Sequence, residues 1–294
     1  MNRIPKKLHM YWDRSPMSKL QVFTIETFHK LNPDWKIYVY TPKQRYTRNA
    51  HYIPDYIGKD FFYLVESFDY VKIIEIDIND YYINGDLHNI LRSDIFRCHI
   101  LYDVGGVWSD FDVIWLKPLT HMLNVEYVGD SKINDMGAMV CLFNTIKGHH
   151  NVGVLFSAPK HSMYNELIKA ADKLQQFPEN FPKFYYDRDT DTYNHQAFGV
   201  LLWEYLYKTF IDVSKKYDDV VGLKYETFAP YSIYNMEQLF MRNDLSPLNS
   251  NNVIGVHWFN GHKYSKQYIN DNWFSKNQIC SLTTILKANG YVDV

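Results

Sequence analysis

The sequence predicts an α/β fold in which helices flank a central sheet of mostly parallel strands. Apolar runs at residues 7–12, 35–40 and 71–76 are typical of short buried strands. The segments between them have the apolar spacing of helices, and this alternation is the connectivity of a parallel sheet. We find no internal repeat and no low-complexity linker, and therefore expect one domain over residues 1–294.

The elements follow in order along the chain. Helices are expected at 18–31 and within 55–68, between the three N-terminal strands. The second half is less regular, with expected strands at 138–143 and 152–157 and expected helices at 163–176 and 195–210.

Composition excludes several classes of partner. The 294 residues are 46% hydrophobic and 22% charged, with a formal net charge of −2, which argues against nucleic acid or an anionic membrane as a partner. No apolar run approaches the roughly 20 residues that cross a bilayer, and the N-terminus lacks the apolar core of a signal peptide. We therefore expect a cytoplasmic protein that is at most peripherally associated with the inner face of the membrane.

The segment 87–104 is the most informative predicted helix. Its apolar residues form one broad arc, with Asp94 and Arg97 in the middle of that arc. Burying either charge alone would cost several kcal/mol. Two explanations stay open: an internal ion pair at i, i+3 that orients the helix, or a pair that faces a polar ligand cavity.

The stretch "GGVWSDFDVIW" follows this helix. Gly105 and Gly106 are expected to end the helix, because glycine readily adopts the left-handed conformation. In an extended strand after them, Trp108, Asp110 and Asp112 would point to the same side. Two carboxylates on one side repel each other unless a cation lies between them, which points to a divalent ion with oxygen ligands. The Asp-x-Asp triplet carries little information without this context.

Two separated motifs resemble one enzyme family. The run Ser93-Asp94, Arg97, Leu101, Gly105-Gly106, Trp108, Asp110 and Asp112 resembles the signature of the DXD-containing sugar transferases of glycosyltransferase family 32, which includes enzymes of capsular polysaccharide synthesis. The opening "IPKKLHMYW" is similar to that family's first strand, with Ile4-Pro5-Lys6, His9 and Trp12 in place. The resemblance extends over residues 4 to 120.

This resemblance implies a GT-A fold with a nucleotide-sugar-binding half at 1–125 and an acceptor-side half at 126–294. It places Trp12 at the nucleobase of a nucleotide-diphosphate sugar, and Asp94 and Arg97 at the hydroxyls of the donor sugar. Asp110 and Asp112 would lie at the ribose and at a Mn²⁺ or Mg²⁺ ion, with Trp108 beside them in the donor site. It also implies transfer with retention of the anomeric configuration.

The carboxyl half offers two further candidates. Asn151 precedes a predicted strand, where related transferases contact donor sugar or acceptor; a turn asparagine is the alternative. His257, Gly261 and Lys263 are similar to the His-x-x-Gly-x-x-Lys element of glycogenin-like transferases, whose histidine binds metal and whose lysine meets phosphate. The spacing differs by one residue on each side of the glycine, and a buried structural histidine is the alternative.

The expected activity is transfer of a hexose from a UDP- or GDP-sugar, UDP favoured, to a saccharide or lipid-linked saccharide acceptor of a surface polysaccharide. Departure of the diphosphate would be assisted by metal. Two other classes stay open: a nucleotide-sugar hydrolase or pyrophosphorylase, and a catalytically idle sugar-binding protein.

Overall fold

The structure is a computed structural model. It describes the chain in seven main stretches and several short pieces: 4–44, 56–81, 89–119, 150–177, 196–207, 210–272 and 278–291, with 127–128, 131–132, 138–142, 180, 185–187, 192–193 and 276.

Thirteen strands lie in the described residues. They are β1 (Lys7–Tyr11), β2 (Lys36–Pro42), β3 (Val71–Ile76), β4 (Gly106–Ser109), β5 (Val113–Trp115), β6 (Tyr127–Val128), β7 (Ser131–Lys132), β8 (Ala138–Leu142), β9 (His150–Ser157), β10 (Tyr185–Asp187), β11 (Thr192–Tyr193), β12 (Val220–Leu223) and β13 (Gly255–His257). Seven of them form the main sheet, in the order β12-β8-β9-β4-β1-β2-β3. Only β9 runs antiparallel to its neighbours, β4 and β8. The predicted mixed, mostly parallel sheet is confirmed.

Nine α-helices lie in the same described residues. They are α1 (Lys19–Leu31), α2 (Phe62–Ser67), α3 (Asn89–Val104), α4 (Ser162–Gln176), α5 (Val200–Leu206), α6 (Phe210–Lys216), α7 (Glu237–Phe240), α8 (Lys263–Asn270) and α9 (Ser281–Ala288). Helices α3, α4 and α5 contribute to one apolar cluster, which includes Phe96, Leu167 and Trp203. Helix α1 contributes to another, which includes Val22 and Phe28. None of the helices in the described part of the chain is long and apolar enough to cross a membrane.

The predicted helices differ from the structure in two places. The helix expected at 195–210 is shorter, because α5 begins only after Gly199 and ends before Tyr207, where the backbone is extended. The helix expected within 55–68 is limited to α2. Before it, the side chain of Asp60 accepts hydrogen bonds from the backbone N–H groups of Met17 and Phe62, which fixes a turn at this position.

The prediction of one extended strand through Asp110 and Asp112 was wrong. Gly105 (φ 65°) and Gly106 (φ 107°) end α3 as expected. However, β4 stops at Ser109, and the last main-sheet hydrogen bond runs from the N–H of Asp110 to the carbonyl of Gly153 at 2.8 Å. The chain then turns, and β5 pairs with β13 in a separate small sheet. The two carboxylates therefore do not alternate along one strand.

Candidate functional site

The predicted donor-site residues gather at one edge of the main sheet. β1 and β4 are parallel neighbours, so Trp12 and Asp110 both follow strand ends at the same edge. β9 runs the other way and brings Asn151, near its start, to this edge. A cavity of about 300 Å³ opens here, and its lining includes Trp12, Arg97, Asp110 and Asp112.

Arg97 connects α3 to the DXD segment. Its Nη2 lies 2.8 Å from Oδ1 of Asp94 and 3.3 Å from Oδ1 of Asp110, and its Nη1 donates to the carbonyl of Val152. The guanidinium carbon lies 5.1 Å from the centre of the Trp108 ring, within cation–π range. The i, i+3 ion pair of the first explanation is present, and of the two side chains Arg97 lines the cavity whereas Asp94 is not among its lining residues.

Burial and neighbouring charges both shift the pKa values of Asp94 and Arg97. Asp94 and Arg97 are each 4% exposed. Burial raises the pKa of Asp94 to about 7, and the Arg97 guanidinium opposes this rise. Burial also disfavours the charge on Arg97, but Asp110 and Asp94 outweigh it and raise its pKa. One guanidinium thus faces two carboxylates, and the cluster can accept further hydrogen-bond donors from a ligand.

Asp112 is held by the loop that follows β13. Its Oδ2 accepts a hydrogen bond from the backbone N–H of Asn260 at 2.8 Å, and its Oδ1 lies 3.0 Å from Nε2 of His257. Burial favours the neutral acid, but His257 and the hydrogen bonds outweigh it and lower the pKa of Asp112. Burial also disfavours the imidazolium, yet Asp112 raises the pKa of His257. Asp112 and His257 therefore each favour the charged form of the other.

Asn151 lies on the far side of the His257 ring. Its Oδ1 accepts from the backbone N–H of Gly153 at 2.9 Å, which directs its Nδ2 toward Nδ1 of His257 at 3.4 Å. Gly153 lies so close that a Cβ there would be 2.8 Å from Cε1 of His257. Asn151 and Gly153 together fix the position of the imidazole.

Asp112 and His257 fit two positions around a divalent ion. Oδ1 of Asp112 is buried, and no group in the described residues donates an aligned hydrogen bond to it. Oδ1 of Asp112 and Nε2 of His257 lie 3.0 Å apart and would be the two nearest ligand atoms for a divalent ion here. Oδ1 of Asp110 instead accepts from Nε1 of Trp108 at 2.8 Å. Among the residues described, no three His, Cys, Asp or Glu side chains form a cluster that could hold a metal.

Of the last two predicted site residues, Trp12 lies at the cavity and Lys263 does not. Trp12 lines the cavity, donates from Nε1 to the carbonyl of Ser15 at 2.8 Å, and packs edge-on against Phe111. Lys263 is exposed at the start of α8, with its Nζ 4.9 Å from the ring centre of Tyr264. The structure does not bring Lys263 to the cavity lining.

Several cavity residues were missed by the sequence analysis, notably Tyr11, Asp13, Asn89 and Asn260. Asp13 follows the end of β1, so a search for polar residues after parallel strands could have found it. Asn260 reaches Asp112 through a loop in which Phe259 has a positive φ of 48°. No local sequence pattern indicates that contact.

Comparison with protein families gives a match in the N-terminal part of the chain. Residues 18–130 match the family model described as the glycosyltransferase sugar-binding region containing a DXD motif. This segment contains Asp94, Arg97, Asp110 and Asp112, and the match supports a sugar transferase.

Other comparisons give more distant similarity. No match is found among curated proteins. Among solved structures, the chain is similar to the PaToxG glycosyltransferase, at 16% identity over 69% of each chain with a TM-score of 0.44. It is also similar to the galactosyltransferase LgtC, at 12% identity over 86% of this chain and 87% of that chain, TM-score 0.44. The glycosyltransferase GlyE of Streptococcus pneumoniae is 14% identical over 92% of this chain and 63% of that chain, TM-score 0.44.

Proposed function

We propose that this chain is a metal-dependent glycosyltransferase with a GT-A fold. It moves a hexose from a nucleotide-diphosphate sugar to a saccharide or lipid-linked saccharide acceptor. The observation that carries the proposal is the position of Asp110 and Asp112. Both line one cavity at the carboxyl edge of the parallel strands, inside the segment that matches the sugar-binding family model.

Asp112 and His257 would hold a Mn²⁺ or Mg²⁺ ion, and Asp110 would join them as a third ligand once its Oδ1 gives up the hydrogen bond from Trp108. The ion would supply Lewis-acid stabilisation of the negative charge on the departing diphosphate. Asn151 and Gly153 keep the imidazole of His257 against Asp112. The amide of Asn151 lies against Nδ1 of the ring, and Gly153 leaves room for Cε1 because it has no Cβ. Loss of such outer contacts typically weakens metal binding about 10- to 100-fold.

The other side chains bind and orient the donor. Trp12 offers an aromatic face at the cavity for a nucleobase. Arg97 presents a guanidinium to the same cavity and can donate to sugar hydroxyls or to phosphate oxygens. Asp94 acts through Arg97, because Oδ1 of its carboxylate pairs with Nη2 of the guanidinium at 2.8 Å. Lys263 would reach a phosphate only by a change of side-chain conformation.

Three parts of the proposal rest on the resemblance to family 32. These are retention of configuration, preference for a UDP-sugar, and a role in surface polysaccharide synthesis. A cytoplasmic location, with at most peripheral attachment at the inner face of the membrane, belongs to the same proposal.

The decisive experiment is Asp112→Asn, assayed by nucleotide release from a panel of UDP- and GDP-sugars with Mn²⁺. Asparagine can still accept the N–H of Asn260, so we expect folding to be retained. Metal-assisted turnover should fall by about 100-fold or more, because a carboxylate ligand and its charge are lost. Asp103→Asn is the matched control, since Asp103 pairs with Lys160 on the surface.

Two results would contradict the proposal. Unchanged turnover in Asp112→Asn would exclude the role of the DXD pair. Nucleotide release that proceeds equally with and without any saccharide acceptor, giving free sugar, would instead assign a hydrolase.

A further inference from the structure

The loop after β13 contains a strained residue next to the proposed metal ligands. Phe259 has a φ of 48°, in the left-handed region that an aromatic residue seldom adopts because its Cβ crowds the backbone there. Gly261, the glycine of the same loop, does not have a positive φ. The unfavourable conformation therefore falls on a residue that must be held in it by other contacts.

Backbone hydrogen bonds on both sides of Phe259 hold it in place. The N–H of Trp258 donates to the carbonyl of Asp112 at 2.8 Å, and the N–H of Asn260 donates to Oδ2 of Asp112 at 2.8 Å. The carbonyl of Phe259 then accepts from the N–H of His262 at 2.8 Å, which closes a turn. The left-handed residue thus lies between two N–H groups that both bind Asp112.

The ring of Phe259 lies over one face of the His257 imidazole. The ring centres are 4.0 Å apart, and the two planes differ by 24°. Three further contacts of the imidazole are at its edge, where Asp112 meets Nε2, Asn151 faces Nδ1 and Gly153 leaves room for Cε1. Contacts at an edge do not stop a ring from tilting out of its plane, whereas a second ring stacked on its face does. Because Phe259 does not line the cavity, it acts on a bound ligand only through its neighbours.

We propose that Phe259 is a positioning residue that preorganises Asp112 and His257 for a divalent cation. Its left-handed backbone directs the N–H of Asn260 to Oδ2 of Asp112, and Oδ1 then lies 3.0 Å from Nε2 of His257. Its ring sets the tilt of the imidazole. Ligands that are already aligned lose little conformational freedom when the ion binds, so binding is tighter. This inference rests on the proposed function and concerns the residues that align its metal site.

Two substitutions separate the ring from the backbone. Phe259→Ala and Phe259→Gly both remove the ring and keep the N–H groups that bind Asp112, and folding should survive because Phe259 is only half-buried. We expect each to weaken Mn²⁺ binding to the full chain with UDP present, measured by calorimetry, about 10-fold. Glycine adopts a positive φ without crowding, so the unfolding constant of Phe259→Gly in urea should be about 5-fold smaller than that of Phe259→Ala. Phe259→Tyr keeps the ring and should bind Mn²⁺ as the wild type does.

Lys160 supplies the matched control. It has a φ of 60° on the surface, where its Nζ pairs with Asp103. Lys160→Ala and Lys160→Gly lose this ion pair equally, so the glycine variant should again have the smaller unfolding constant. Neither substitution should change the affinity for Mn²⁺, because Lys160 does not line the cavity.

The outcomes separate this inference from the proposed function. If folded Phe259→Ala and Phe259→Gly bind Mn²⁺ as tightly as the wild type, the positioning role is wrong and the metal site stays. If Phe259→Gly recovers the affinity that Phe259→Ala loses, affinity follows stability alone and the role of the ring is wrong as well. A larger unfolding constant for Phe259→Gly than for Phe259→Ala would contradict the strained backbone. If the wild-type chain with UDP binds no Mn²⁺, both the inference and the metal-dependent function are wrong.

Discussion

His9 gives the most quantitative prediction, because it is a fully buried histidine next to the turn that begins the DXD segment. Its Nε2 lies 3.0 Å from the carbonyl of Gly105, and its Nδ1 lies 3.0 Å from the hydroxyl of Tyr40. A carbonyl only accepts, so Nε2 carries the proton and Nδ1 accepts from Tyr40. The neutral imidazole therefore ties β1 to β2 and to the end of α3.

The energetic consequence follows from its pKa. Burial lowers the pKa of His9 to about 4, from an ordinary value of 6.5 that applies in the unfolded chain. Above pH 6.5 neither state is protonated, and the contribution of His9 to stability is fully present. Between pH 6.5 and 4 the unfolded state binds a proton that the folded state does not, so stability falls as pH falls. At about 1.4 kcal/mol per pH unit, the loss reaches about 3 kcal/mol and then stays constant.

The perturbation is His9→Gln, which keeps an amide donor for the carbonyl of Gly105 and does not titrate. Urea unfolding followed by tryptophan fluorescence, from pH 7 to pH 4, gives the free energy of unfolding of both proteins. Carboxylates titrate in the wild type and in the variant alike, so the informative quantity is the difference between their free energies of unfolding at each pH. We expect the advantage of the wild type to shrink by about 3 kcal/mol across this range. Parallel curves would refute the assignment of a buried neutral imidazole at position 9.

Three glycines give further predictions. Gly153→Ala places a Cβ 2.8 Å from Cε1 of His257, and we expect Mn²⁺ binding in the presence of UDP, measured by calorimetry, to weaken about 10-fold; unchanged affinity would contradict the placement of the imidazole. Gly199→Ala places a Cβ 2.7 Å from Oδ2 of Asp94, and should lower the free energy of urea unfolding by about 1–3 kcal/mol. Gly261→Ala, whose Cβ would meet nothing within 4 Å, should change it by no more than about 0.5 kcal/mol, and equal losses would refute the steric argument.

Much of the sheet and the buried pair on α3 could be predicted from local patterns. Buried parallel strands are short apolar runs, and Asp94 and Arg97 stand out because they interrupt an apolar helical face. The same helical arc was less accurate near the start of α3. At 100° per residue, Ile90 falls within the apolar arc and Arg92 falls opposite it. In the structure, however, Ile90 is 45% exposed at the cavity and Arg92 is buried. A helix whose first turn borders a cavity does not bury one constant face, and periodicity contains no information about cavities.

The DXD segment shows why spacing alone does not define a site. Asp110 and Asp112 are two residues apart, but their contacts come from different parts of the chain. Asp110 is paired with Arg97 from α3, whereas Asp112 is paired with His257 and the loop after β13, almost 150 residues away. Asp110 and Asp112 therefore have different cationic partners, which limits their mutual repulsion without requiring both side chains to point the same way. That division depends on the strand break after Ser109, and the alternation rule for an extended chain cannot predict it.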